Sequence, residues 1–168
     1  MKIALITDTH FGGKNDNLAF AEFQARFYRG TFFPILDREG ITTVVHLGDT
    51  FDRRKYTNYN TLKLAKEMFF TPIYERGIEL HTLLGNHDCY FKSTNDVNSM
   101  SLTCGEYPIH LYKDTPEVIN FDGLDVLMTP WIAPDKHAES LRIISRAKAD
   151  FLMYLFVSSP GPYLFAAI

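Results

Sequence analysis

Three short segments of the chain carry residues able to do metal chemistry. They are "TDTH" (residues 7–10), "LGDTFD" (residues 47–52) and "LGNHD" (residues 84–88). Each follows a short apolar, β-branched run that reads as a buried strand: "KIALIT" (residues 2–7), "ITTVVHL" (residues 41–47) and "IELHTLL" (residues 78–84). In a parallel sheet the three strand ends share one edge, and sites of open α/β sheets lie outside the carboxyl ends of the strands. The polar residues are therefore expected to converge. Asp8 and His10 alternate across a strand end and can face one point. Asp49 beside Gly48, and Asn86 and His87 beside Gly85, stand where glycine permits a tight turn or close approach.

Carboxylate, imidazole and amide donors together suit a divalent ion such as manganese, iron or zinc more than calcium or a sulfur-bound ion. A carboxylate between two cations bridges them, and a pair roughly 3.5–4 Å apart is the usual clamp for in-line phosphoryl chemistry. Asp49, from the middle strand of the set, is the natural bridge. His87 is placed to steady a phosphate and donate a proton to the leaving oxygen, with Asp52 or Asp88 orienting its other nitrogen. An Asp at one strand end is often only a turn former. Four specified residues such as "GNHD", however, occur by chance about once in 10⁵–10⁶ positions, and all three segments fall where ligands are wanted. Arg53, Arg54 and Lys55 follow Asp52 directly and are expected at the rim, where a phosphate backbone could lie across them. His46 and His81 read as core residues or supports behind a ligand, His110 and His137 as surface residues, and Trp131 as core packing.

The elements that must hold these residues follow from periodicity. A helix is expected from Leu18 to about Leu36, with Gly30 and Pro34 ending or kinking it, and a second from Thr57 to about Tyr74, capped by Thr57 or Asn58. Residues 11–17 read as a loop. Strand, helix, strand, helix, strand gives a mostly parallel sheet with helices on its faces. Shorter strands follow at His110–Tyr112, Val118–Phe121 and Leu124–Met128, with Asp122-Gly123 as a hairpin turn. A third helix is expected from Pro134 or Asp135 to Ala149, and Phe151–Val157 is a last apolar run of strand length.

The composition sets limits. With 168 residues, 46% hydrophobic and 14% aromatic, the chain can bury a core and is too apolar for disorder. A net charge of −3 argues against a globally basic nucleic-acid coat and leaves a local basic patch open. Cys89 and Cys104 form no Cys-x-x-Cys pattern, so a cysteine zinc site is not expected. Two free thiols and an N-terminus too polar for a signal peptide suit a reducing compartment such as the cytoplasm. The apolar stretch after Phe151 is broken by Ser158, Ser159, Pro160, Gly161 and Pro162, which argues against a membrane span there.

In "DTH", "GDTFD" and "GNHD" the chain resembles the calcineurin-like metallophosphoesterases. In "DTHFGG", "GDTFDRRK", "LLGNHD" and "TPW" it resembles, more narrowly, the nuclease subunit of SbcCD-type DNA-repair complexes, including phage versions. The resemblance covers residues 1–150 and implies an αββα sandwich, an α/β fold of two sheets covered by helices. It implies two divalent ions, manganese first, with magnesium, iron and zinc as alternatives. Asp8 and His10 would hold one ion, Asp49 would bridge, Asn86 would hold the second, and His87, oriented by Asp52, would be the catalytic histidine. It further implies cleavage of DNA phosphodiesters and a coiled-coil, SMC-like ATPase partner. The superfamily motifs also fit phosphomonoesterases. The family has further histidines, one in a segment like "ADxxxGH" and two in Gly-His-x-His. Here the comparable segment is "KADFLMYLFV", with Tyr154 and Leu155 in place of Gly-His, and no histidine follows His137. Residues 1–150 are therefore expected to form a partial nuclease domain and residues 151–168 an apolar tail outside the family pattern. The second metal site would keep only Asp49 and Asn86. The expectation is an interrupted sandwich, an impaired enzyme and an open sheet edge prone to self-association through residues such as Phe156 and Tyr163. A non-catalytic binding or regulatory protein with a degenerate metal pocket is the alternative.

Overall fold

The computed structural model of the chain describes residues 1–154. Strands β1 (Ile3–Ile6), β2 (Thr43–His46), β3 (Glu79–Leu83) and β4 (Ile109–Tyr112) form a parallel sheet in that order. Its registers pair Ile3 with Thr43, Thr43 with Glu79, and Leu80 with Ile109. β2 is buried on both faces, as expected for a central strand covered on both sides. Its alternation sends Val44 into a core under the helices and Val45 into a second core between two sheets. That second sheet comprises β5 (Glu117–Phe121), β6 (Leu124–Thr129) and β7 (Phe151–Tyr154). Phe121, Val126 and Met128 from it meet Val45, Leu83 and Tyr112 from the first. The layers are those of an αββα-type sandwich of mixed α/β class.

The β5–β6 hairpin closes on Asp122 and Gly123, both at positive φ (53° and 91°), as a two-residue turn with matching twist requires. β6 and β7 run parallel, and the crossover between them carries a 3₁₀ turn (Pro134–Lys136) and a helix (His137–Ile144). That helix ends five residues before the expected Ala149. The portion of the tail after Tyr154, with Phe156 and Tyr163, lies outside the described residues. Among the described residues no helix is long and apolar enough to cross a membrane.

Gly30 and Pro34 do not end the first helix. Helix α1 (Leu18–Phe27) runs through a π turn (Tyr28–Phe32) into α2 (Phe33–Glu39). The second helix does the same: α3 (Tyr59–Ala65), a π turn (Lys66–Phe70) and α4 (Thr71–Glu75). In both, a proline follows closely, Pro34 and Pro72. Proline has no N–H and its ring collides with the carbonyl four residues back. The wider turn moves that carbonyl aside: Phe33 N–H donates to Tyr28 O and Thr71 N–H to Lys66 O, each five residues back. Asn58 caps the second helix, its Oδ1 accepting from Asn60 N–H at 2.8 Å.

The π turns deliver aromatic rings to the region under the strand ends. Tyr28, Phe32, Phe69 and Phe70 are buried, and Phe69 and Phe70 lie 6.0 and 6.4 Å from Phe11 between ring centroids. Phe11 directly follows His10 and also packs against Phe51 at 6.2 Å. The aromatic floor thus supports both loops that carry the candidate ligands.

Candidate metal centre

The first two loops are joined by main-chain bonds that continue past the strands. Asp8 N–H donates to Gly48 O (3.1 Å), His10 N–H to Asp49 O (3.0 Å), Phe11 N–H to Thr50 O (2.8 Å) and Asp52 N–H to Phe11 O (3.1 Å). A buried side-chain relay adds to them. Gly48 N–H donates to His46 Nδ1 (3.0 Å), so His46 carries its proton on Nε2 and donates it to Thr9 Oγ1 (3.0 Å); the Thr9 hydroxyl donates to Thr50 O (3.1 Å). Burial holds the His46 pKa down at about 4, keeping the ring neutral. His46 is thus a support behind the loops that carry the candidate ligands.

Strand alternation does not aim Asp8 and His10. β1 ends at Ile6, and Asp8, His10 and Asp49 all have left-handed backbones, with φ of 52°, 42° and 55°. Such conformations are uncommon away from glycine and concentrate at functional sites. Turned this way, His10 Nε2 lies 3.6 Å from Asp8 Oδ1 and 3.9 Å from Asp49 Oδ2. These separations are too long for hydrogen bonds and suit donors arranged around a shared cation. His10 Nδ1 is buried without a hydrogen bond, 3.6 Å from Asp52 Oδ1.

The third loop closes over Asp49. His87 N–H donates to Asp49 Oδ1 at 2.9 Å. Gly48 and Gly85 meet back to back: a Cβ on Gly85 would fall 2.2 Å from Asp49 N and Oδ1, and one on Gly48 (φ 107°) 2.9 Å from Gly85 Cα. Asp88 is fully buried and clamps this junction, accepting from Thr50, Phe51 and Gly85 N–H and from Ser99 Oγ. Burial pushes its carboxyl up to about 6 against the pull of those donors. Asp88 therefore fixes the loops, its carboxylate oxygens being engaged by Thr50, Phe51, Gly85 and Ser99.

The orienting group on His87 also differs from expectation. His87 Nδ1 lies 2.6 Å from the main-chain carbonyl of Asp52, while the Asp52 carboxylate faces His10 instead. A carbonyl can only accept, so Nδ1 carries a proton and Nε2 is left for a ligand. The His87 ring stands edge-on to His10 with centroids 5.0 Å apart.

The basic triplet is less open than its position in the sequence suggests. Arg53 pairs with Asp16 (2.5 Å) and bonds Asn15, anchoring residues 14–16. Those residues, expected as loop, form a turn with three successive positive φ angles. Arg54 donates to Phe91 O and lies over the Trp131 ring at 5.3 Å. Trp131 packs on the helix-side core, as expected.

The donor set fits divalent cations. Asp49 is 5% exposed and burial raises its pKa, so an ionised form needs positive charge that no lysine or arginine supplies there. Asn86 Oδ1 is buried without any hydrogen bond, an orphan acceptor of the kind a cation satisfies. A second metal-capable group, Glu79, His81 and His110, occurs elsewhere in the sheet. Sequence reading missed it as a set. The Glu-x-His spacing on β3 was a visible signal, but the pairing of His81 with His110 depends on the β3–β4 register.

A sandwich of this architecture with oxygen and imidazole donors at three strand ends defines a class of metal-dependent hydrolases. The chain matches the sequence model of the calcineurin-like phosphoesterases over residues 1–162 and belongs to that family. It is similar to Exonuclease subunit 1 of Enterobacteria phage T4, with 32% identity over 151 residues, covering 90% of this chain and 44% of that protein. The chain thus spans less than half the length of that relative. Among solved structures it is similar to the protein of unknown function AQ665 from Aquifex aeolicus, at 20% identity and a TM-score of 0.44, covering 89% of this chain and 75% of the other.

Proposed function

We propose that the chain is the metal-binding part of a DNA nuclease. Asp8, His10 and Asp49 hold one divalent ion, and Asp49 with Asn86 holds a second; manganese is the proposed ion at both. The observation that carries this reading is the cluster in which His10 Nε2 lies 3.6 Å from Asp8 Oδ1 and 3.9 Å from Asp49 Oδ2, with the buried, unpartnered Asn86 Oδ1 on the loop that closes over Asp49. Bound cations would neutralise phosphate charge and favour in-line displacement. The protein's own groups supply the rest. Asp88 and the two glycines fix the ligand loops. The Asp52 carbonyl accepts from His87 Nδ1–H and fixes the ring, so that Nε2 is the atom placed to exchange a proton with the leaving oxygen. Three side chains serve the first ion and two serve the second, so manganese is expected to bind this 168-residue chain tightly once and weakly once.

The preference for DNA over a small phosphomonoester rests on the surface beside Asp52. A groove of about 160 Å³ is lined by Arg54, Lys55, Tyr56, Tyr59 and Tyr90. Tyr59 is 90% and Tyr56 62% exposed, and the Arg53 guanidinium lies 4.9 Å over the Tyr56 ring. Aromatic faces interleaved with cations take single-stranded bases by stacking, worth roughly 1–3 kcal/mol per base. The word "subunit" in the name of the phage relative agrees with work in a complex, and an ATPase partner is part of the proposal.

Two measurements check it. His87→Ala should lower manganese-dependent cleavage of linear DNA by about 10²–10⁴-fold, the usual range for a lost general acid, while DNA binding is kept. Equal cleavage by parent and variant would remove His87 from the chemistry. A parent chain that binds DNA but never cleaves it would favour the non-catalytic alternative, and faster turnover of p-nitrophenyl phosphate than of DNA would favour a phosphomonoesterase. Separately, Tyr59→Ala should weaken single-stranded DNA binding by about tenfold, within the stacking range, with manganese affinity unchanged. Unaltered DNA affinity would discard the groove.

A further inference from the structure

At the opposite end of β3 from Asn86, Glu79, His81 and His110 form a second, self-contained donor set. Glu79 and His81 share one face of β3 by alternation, and the register places His110 of β4 directly beside His81. The two imidazoles are stacked, 4.5 Å between centroids and 14° from parallel. Both Nε2 atoms approach the same carboxylate oxygen: Glu79 Oε1 lies 3.2 Å from His81 and 3.1 Å from His110. His81 is 4% exposed, and its buried Nε2 forms no hydrogen bond of good geometry despite that proximity. Its Nδ1 lies 2.7 Å from Tyr112 Oη, whose oxygen can accept a hydrogen bond from Nδ1–H and leave the Nε2 lone pair free for a cation. The edge of Phe121 from the second sheet closes one side of His81, at 4.8 Å. All three donors line a cleft of about 320 Å³, bordered also by Phe121, Met1 and Thr43, which gives an entry path.

From this geometry we propose that Glu79, His81 and His110 bind a zinc-class divalent cation, separate from the Asp49 centre. Two imidazoles and one carboxylate are a familiar zinc donor set, with a fourth position left for water. Zinc bonds of about 2.0–2.2 Å in a tetrahedron put neighbouring donor atoms about 3.3–3.6 Å apart, slightly more than the 3.2 and 3.1 Å found without an ion. The bound ion would tie β3 to β4 at the edge of the sheet remote from the strand ends that carry Asp8 and Asp49. It would hold the cleft side of His81 opposite the β5–β6 hairpin.

The test uses the full chain carrying Asp49→Asn, which removes the bridging charge of the other centre. Zinc binding is measured by calorimetry at pH 7.5, and cobalt binding by visible absorption. One zinc per chain and cobalt bands of tetrahedral intensity are expected. Adding His110→Ala or Glu79→Gln, both at exposed positions, should weaken zinc by more than about tenfold and abolish the cobalt bands, since even altering a ligand's supporting partner costs 10–100-fold. Tyr112→Phe should weaken zinc less than loss of either ligand. Far-ultraviolet circular dichroism without metal verifies that each variant is folded. Zinc affinity unchanged in both His110→Ala and Glu79→Gln, or no zinc bound when the three donors are intact, would overturn the site and leave a carboxylate that merely lies beside two histidines.

Discussion

An Asp49→Asn chain is expected to lose manganese binding and DNA cleavage while keeping its fold. Asparagine has the same shape, and of the non-glycine residues it is among those that best tolerate the left-handed backbone seen at this position (φ 55°). It can still accept the 2.9 Å hydrogen bond from His87 N–H. What disappears is the negative charge and one of two oxygens able to face cations; the incoming NH₂ is a donor and repels them. We expect manganese affinity to fall by at least about 100-fold and cleavage by at least about 10³-fold, the several kcal/mol attributed to metal-ion charge stabilisation. Calorimetry and a linear-DNA assay on the same preparation check both. Retention of parental manganese affinity would mean that Asp49 is a structural carboxylate and would remove the two-ion proposal with it.

The second large effect is on stability. Gly85→Ala places a methyl carbon 2.2 Å from both the main-chain nitrogen and Oδ1 of Asp49, so that backbone as well as a side-chain tip is in the way. Either the β2 and β3 loops separate or Asp49 leaves the centre. Overpacking of this kind costs about 3 kcal/mol at the upper end of its usual range, or roughly 6–12 °C in melting temperature for a domain of this size. Gly30→Ala is the matched control. Nothing lies within 4 Å of its added carbon, and it sits in a helical turn, so it should be neutral or slightly stabilising. Similar melting temperatures for the two variants would mean that the loops repack easily and that the glycine contact is not what seats Asp49.

The comparison of sequence and structure has a physical pattern. The strand ends at Asp8, Asp49 and Asn86 were legible because apolar runs followed by polar residues report burial and its end directly. Asp122-Gly123 was legible because a two-residue turn needs positive φ, which few residues adopt. The π turns were not, since the sequence marks where proline disrupts a helix but not whether the neighbouring core holds the helix together across it. The orienting partner of His87 was missed because a main-chain carbonyl has no signature in residue type. Arg53 was read as free because its partner, Asp16, lies 37 residues away on a turn with unusual backbone angles. The Glu79, His81 and His110 set needed the register of two strands, which residue spacing within one strand cannot supply.

The ladder that joins Asp8 to Gly48 and His10 to Asp49 is made wholly of peptide groups. Peptide groups are the same whatever side chain they carry. The positions proposed to face a cation are therefore set largely by the chain's course, and the donors they carry are chosen within it. The left-handed backbone at these positions narrows that choice to residues such as aspartate and asparagine. Exchanging a carboxylate for an amide at Asp8 would alter the charge offered to an ion while leaving the main-chain ladder in place.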